Sequence, residues 1–123
     1  MKTLKSKEAP EPIGPYSQAV ESGGFLFLSG QIGLKPESAE LPDTLEEQTR
    51  QIIKNISAVL NAGGCSLSDV VKTTVYLKNM SDFAKFNAIY AEYFKNNPPA
   101  RSTVEVSGLP RNALIEIEII ARK

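Results

Sequence analysis

Pro99-Ala-Arg101-Ser-Thr103-Val-Glu105-Val-Ser-Gly-Leu-Pro110-Arg-Asn-Ala-Leu-Ile-Glu116-Ile-Glu118-Ile-Ile120 consists of two alternating segments around Gly108-Leu-Pro110. Alternation at period two predicts two strands, and the glycine and proline between them predict a turn. If Val106 and Ala113 close a hairpin, Thr103 lies opposite Glu116 and Arg101 opposite Glu118, on one side of the ribbon. A slip of one residue would set these polar groups against isoleucines, so the pattern favours the first register. Cross-strand neighbours sit about 4.5–5.5 Å apart at Cβ, and the expectation is one strip holding an arginine, a hydroxyl and a carboxylate. Arg101 would bind a substrate carboxylate, which a guanidinium fork matches. Glu116 would position or deprotonate a water. The same residues also fit a plain ion pair between Arg101 and Glu118 on a solvated face.

Upstream of this stretch, Met1 to Glu11 reads as a polar arm, with Lys2, Lys5 and Lys7 solvated, and Pro10-Glu-Pro-Ile-Gly14-Pro15 as an irregular entry. Two short strands, 17–20 and 25–29, flank the hairpin signal Glu21-Ser-Gly23-Gly24. Gln31 to Pro42 reads as a loop. Asp43 and Glu46 form a capping-box pattern ahead of Leu45, Ile52, Ile53, Ile56, Val59 and Leu60, which recur at helical spacing until Gly63-Gly64. Residues 70–77 alternate as a strand with Val71, Thr73, Val75 and Leu77 on one side. Ser81 is the expected cap of a second helix with the stripe Phe83, Phe86, Asn87, Tyr90 and Phe94, ended by Asn96-Asn97-Pro98-Pro99. The order is β-β-α-β-α-β-β, an α+β single domain over residues 1–123 with both helices on one face of a mixed sheet.

Composition removes many chemistries. The 123 residues include no histidine, no tryptophan and one cysteine, Cys65, so a serine–histidine triad, a Cys–His pair and a His/Cys zinc site cannot be built within one chain. Fourteen basic residues offset fourteen acidic ones, and no global charge points to nucleic acid or an anionic membrane. No apolar run reaches membrane-spanning length and no signal-peptide pattern is present, so the expectation is a soluble, cytoplasmic protein. Cys65 reads as an ordinary thiol in a connection.

The sheet has more apolar surface than two helices can cover. Phe25-Leu-Phe-Leu28 is apolar on both faces, and Ile120 sits opposite the other isoleucines of its strand. Self-association through the uncovered face is therefore expected. Three further groups offer polar atoms to a ligand or to local structure. Tyr16 in Gly14-Pro-Tyr16-Ser-Gln18 either donates a hydrogen bond into a cleft or plugs the first strand. Ser29-Gly30-Gln31 offers a hydroxyl and bare backbone, or simply turns the chain. Asn87 bonds either a neighbouring group or a ligand.

Taken together, Gly14-Pro-Tyr16-Ser-Gln-Ala, Leu28-Ser-Gly30-Gln-Ile32, Asn79-Met-Ser-Asp-Phe83, Phe86-Asn87-Ala-Ile-Tyr90 and the terminal signature from Pro99-Ala-Arg101-Ser to Ile115-Glu116-Ile117 resemble the Rid (YjgF) family of reactive-intermediate deaminases, in particular its RidA branch. The resemblance implies a chorismate-mutase-like α+β fold assembled as a homotrimeric barrel with clefts between subunits. It implies hydrolysis of enamine and imine intermediates such as 2-aminoacrylate and 2-aminocrotonate (2-iminopropanoate and 2-iminobutanoate in the imine form) to 2-keto acids and ammonia, with no metal or organic cofactor. By position, Arg101 matches the carboxylate-binding arginine and Glu116 the water-activating acid. Tyr16, Ser29, Gly30 and Asn87 match cleft residues. Thr103 stands where many RidA members have a cysteine, and Gly33 replaces a usual proline, a change expected to loosen the loop beside the cleft. The alternative reading within the family is a non-catalytic carboxylate-binding regulator or a translation-inhibitor type of protein.

Overall fold

A computed structural model describes all 123 residues. Its six strands are β1 (Lys2–Leu4), β2 (Ala19–Ser22), β3 (Phe25–Gln31), β4 (Val70–Leu77), β5 (Ala100–Glu105) and β6 (Ile115–Arg122). They form one sheet in the order β1-β2-β3-β6-β4-β5, in which only β4 and β5 run parallel. Helix α1 (Leu45–Ala62) connects β3 to β4, and α2 (Phe83–Tyr93) connects β4 to β5. No helix is long and apolar enough to cross a membrane.

The core lies between the helices and one face of the sheet. In β6, Ile115, Ile117, Ile119 and Ala121 are buried toward the helices, together with Leu26 and Leu28 of β3 and Thr73, Val75 and Leu77 of β4. Helix α1 presents Leu45, Ile52, Ile53, Ile56, Val59 and Leu60, all buried, as their spacing predicts. Its N-cap falls one residue later than expected. Thr44, not Asp43, accepts from the Glu47 amide at 3.1 Å, and its hydroxyl donates to the Glu47 carboxylate at 2.9 Å. Two overlapping box patterns compete here, and a 2.8 Å bond from Gln48 Nε2 to the Pro42 carbonyl holds 42–43 outside the helix. Gly63 and Gly64 end α1 as predicted. A Cβ on Gly63 would collide with Leu26, so only glycine fits.

Other local expectations are corrected. The 1–11 arm is docked: β1 pairs with β2, Leu4 is buried, and the buried Gln18 side chain bonds the backbone of Ser6 and Pro10. β2 spans 19–22, two residues later than predicted, because Ser22 and Phe25 close a two-residue turn in which Gly23 and Gly24 take φ of 61° and 83°. A bulge between Val70 and Lys72 turns Val71 out to solvent and leaves Val70 buried. Ser81 does not cap α2. A 3-10 turn, Met80–Asp82, precedes the helix, and Glu105 Oε1 accepts from the Met80 amide at 2.6 Å. The buried stripe of α2 is Phe86, Ile89 and Tyr90, and Asn87 is exposed beside it. The loop expected to be loosened by Gly33 is packed at that residue: Gly33 is buried, with space for a Cβ closed at 2.7 Å by the Gln48 carbonyl, and Asn55 Nδ2 donates to the Leu34 carbonyl at 2.9 Å.

The largest correction concerns the terminal hairpin. β5 does not pair with β6; β4 lies between them. The Val106 amide donates to Leu77 O at 2.9 Å and the Lys78 amide to Leu114 O at 3.0 Å, so segment 106–114 steps across the end of β4. Burial explains the order. An interior strand needs an apolar stripe, which β4 has in Val75 and Leu77, whereas β5 offers Arg101, Thr103 and Glu105 on that face and belongs at an edge.

The second face carries no layer. Phe27 is 43% exposed and Val104 42%, with Ile120 half-buried between strands. The uncovered apolar surface expected from the sequence is thus present.

Candidate active site

β3 ends in a bulge. Leu28 faces Ile119 but Gln31 faces Ile117, so Ser29 and Gly30 oppose one residue of β6. The bulge brings backbone against a carboxylate: a Cβ at Gly30 would stand 2.6 Å from Glu116 Oε2. Ser29 is held from both ends, its amide donating to Gln18 O at 3.0 Å and its hydroxyl to Ser17 O at 2.6 Å. Tyr16, 50% exposed, follows a tight turn at Gly14 (φ 128°), and its phenol oxygen accepts from the Ile13 amide at 3.4 Å. These groups line a cleft of about 680 Å³ together with Glu118 and Arg111. Burial, and then the neighbouring Glu118 charge, push the Glu116 carboxyl above its ordinary value. Glu118 in turn accepts from the Tyr76 phenol at 2.7 Å, which together with burial raises that phenol.

Arg101 is on the other side. Thr73 faces both Arg101 and Ile119, on the helix-covered face, whereas Tyr76 faces Glu116 on the open face. The Arg101 guanidinium carbon lies 4.7 Å from the Tyr90 ring centre, 5.3 Å from Phe86 and 5.6 Å from Phe83. Its Nη1 donates to Asn87 Oδ1 at 2.8 Å. Thr103, two residues on, turns to the same face, and its buried hydroxyl has no hydrogen-bond partner.

The single polar strip expected from the hairpin therefore does not exist. The structure gathers Tyr16, Ser29, Gly30 and Glu116 in one cleft, and Arg101, Asn87 and Thr103 at the β5 edge of the opposite face. The alternative Arg101–Glu118 ion pair is absent as well, since Glu118 bonds Tyr76 and Arg101 bonds Asn87. Neither half contains three or more His, Cys, Asp or Glu side chains placed to hold a metal ion. No sequence pattern points to the Tyr76–Glu118 bond or to the Tyr90 ring beneath Arg101. Tyr90 was visible only as part of an apolar stripe, and no local pattern distinguishes a ring that packs from one that also carries a cation.

The chain matches the family model described as Endoribonuclease L-PSP over residues 6–123. It is 56% identical over 119 residues to a RutC family protein of Pyrococcus horikoshii, an alignment covering 96% of this chain and 94% of that one. It is 47% identical to the chloroplastic Reactive Intermediate Deaminase A of Arabidopsis thaliana, covering 96% of this chain and 64% of the plant protein. The solved structure of E. coli TdcF with bound serine superposes with a TM-score of 0.96 at 37% identity, covering 100% of this chain and 99% of that one.

Proposed function

This chain belongs to the endoribonuclease L-PSP family, the YjgF/Rid proteins, and from that premise we propose that it hydrolyses small enamino and imino acids to 2-keto acids and ammonia. The substrates envisaged are 2-aminoacrylate, 2-aminocrotonate and their imines. The observation that carries the reading is the division of the site into two complementary halves on opposite faces of one sheet. One half is a cation with N–H groups to spare; the other is a cleft with a half-buried carboxylate and bare backbone. Neither half suffices for the chemistry, and two copies of the chain can supply both. The exposed Phe27 and Val104 give those copies a reason to associate. The family resemblance supports three copies.

In this mechanism Arg101 of one copy holds the substrate carboxylate and Glu116 of a neighbour faces the C=N carbon. The enamine takes a proton at its terminal carbon and becomes the iminium ion. Water then adds to the C=N carbon, giving up one proton to Glu116. The carboxyl returns that proton to nitrogen, the C–N bond breaks to release ammonia, and the hydroxyl loses its proton to solvent as the carbonyl forms. A carboxyl raised by burial suits this shuttle, because its protonated and charged forms are closer in energy near neutral pH. Tyr16, Ser29 and the Gly30 backbone would line the wall on the Glu116 side, with Asn87 and Thr103 beside Arg101. The reaction is intrinsically easy, and positioning with one proton carrier is enough.

A dehydratase-coupled assay tests the reading. Serine dehydratase supplies 2-aminoacrylate, and the protein either accelerates pyruvate release or does not. Arg101→Ala and Glu116→Ala should each abolish the acceleration while remaining folded, and full activity in Arg101→Ala refutes the assignment. A purely binding role is the second reading, favoured by the serine bound in TdcF. It predicts carboxylate binding that needs Arg101, with no acceleration.

A further inference from the structure

The Arg101 guanidinium rests on rings, and one of those rings is itself fixed by a buried hydrogen bond. Tyr90 OH and Thr73 Oγ1 are 2.8 Å apart, and both residues are buried. Thr73 lies directly across from Arg101 in the β4–β5 register. Thus the phenol tip is tied to the residue beside Arg101 on the sheet, while the ring lies 4.7 Å from the guanidinium carbon, closer than Phe83 or Phe86. Asn87, one helical turn before Tyr90, takes one N–H of the same group. No other hydrogen bond of that guanidinium is made within the chain, so the remaining N–H groups stay available to a ligand.

We infer that Tyr90, pinned by Thr73, is a positioning residue that sets the plane and height of the Arg101 guanidinium, and so determines affinity for the substrate carboxylate without touching substrate. The inference rests on the Arg101 assignment above. Its physical basis is that a bidentate carboxylate contact depends on guanidinium orientation, and that a long side chain at an exposed edge strand would otherwise sample many rotamers. A hydroxyl pair inside an apolar core has no need to exist for packing. Replacing both partners with apolar groups of the same shape is close to neutral for stability, so a stabilising role alone does not account for the pair.

The test is the double variant Thr73→Val/Tyr90→Phe, compared with the intact protein and with Arg101→Ala. KM in the dehydratase-coupled assay is expected to rise about three- to tenfold, corresponding to the loss of one modest orienting interaction. kcat should stay within about twofold, and the melting temperature should be nearly unchanged. Thr73→Ser, which keeps a hydroxyl, should retain the native KM. An unchanged KM in the double variant overturns the inference, as does a fall in kcat at constant KM. If the double variant does not fold, Tyr90→Phe alone provides the same comparison with ring and bulk kept, and an unchanged KM there is equally fatal. Failure of the Arg101 reading is recognised separately, by full activity in Arg101→Ala.

Discussion

The two halves of the site are built in opposite ways. Arg101 is carried by an edge strand but stacked on the aromatic rows of α2, so the hydrophobic core itself orients the cation. Glu116 is carried by the central strand of the sheet, yet its carboxylate lies on the uncovered face, held by burial and by the backbone of a bulge in β3. Under the proposed function, this difference would separate the work of binding from that of catalysis. A charge that must hold a carboxylate in one orientation gains from a rigid, desolvated support. A group that must gain and lose a proton gains from an environment that disfavours its charged form without locking it in an ion pair. The two demands conflict and are met on separate faces; under the proposed function, association of copies would bring them together.

The largest effect expected from this contrast is the loss of activity in Arg101→Ala and Glu116→Ala, at least about a hundredfold in the coupled assay if removing a transition-state contact costs about 2.7 kcal/mol. A pair of glycine substitutions sharpens the contrast. Gly30→Ala would set a methyl against the movable end of the Glu116 side chain, so activity should fall about tenfold or more while the melting temperature holds. Gly33→Ala would set the same methyl against the Gln48 backbone, which cannot yield. It should destabilise the fold by about 1–3 kcal/mol, measured by urea unfolding.

The pH dependence follows with a smaller expected effect. The folded-state value of Glu116 is raised, so its contribution favours folding below the ordinary carboxylate range and is lost as pH climbs through the raised value. Glu116→Gln should therefore melt no lower than the native protein at neutral pH, with the difference vanishing on acidification. Glu118→Gln removes the like charge and should move the acid limb of the activity profile to lower pH. The smallest effect expected is at Thr103, whose hydroxyl is buried without a partner. Thr103→Val should raise stability slightly, because no hydrogen bond is lost. An accompanying rise in KM would place that hydroxyl against substrate.

Much of this molecule was legible from residue order. The stripe from Leu45 to Leu60, the Gly23-Gly24 turn and the alternation of Ile115–Ile119 each follow from local periodicity and turn chemistry, and all appear in the fold. The largest misreading has a non-local cause. Arg101 and Glu116 lie on strands that are adjacent in sequence, but β4 lies between those strands because its stripe is apolar where that of β5 is polar. Strand order is thus decided by a competition among non-local partners that no short window contains. The docking of β1 through Leu4 and Gln18, and the register of Thr73 against Arg101, are invisible for the same reason. The candidate residues could be named from the sequence, whereas the face on which each lies could not.

The proposed active sites draw Arg101 from one copy and Glu116 from another. Arg101→Ala and Glu116→Ala proteins, each inactive alone, can be mixed in equal amounts, unfolded and refolded together. Random association places an intact Arg101 against an intact Glu116 in about one quarter of sites, and the coupled assay should then recover about that fraction of native activity. Recovery of none, with mixed assemblies shown to have formed, would contradict a site shared between copies.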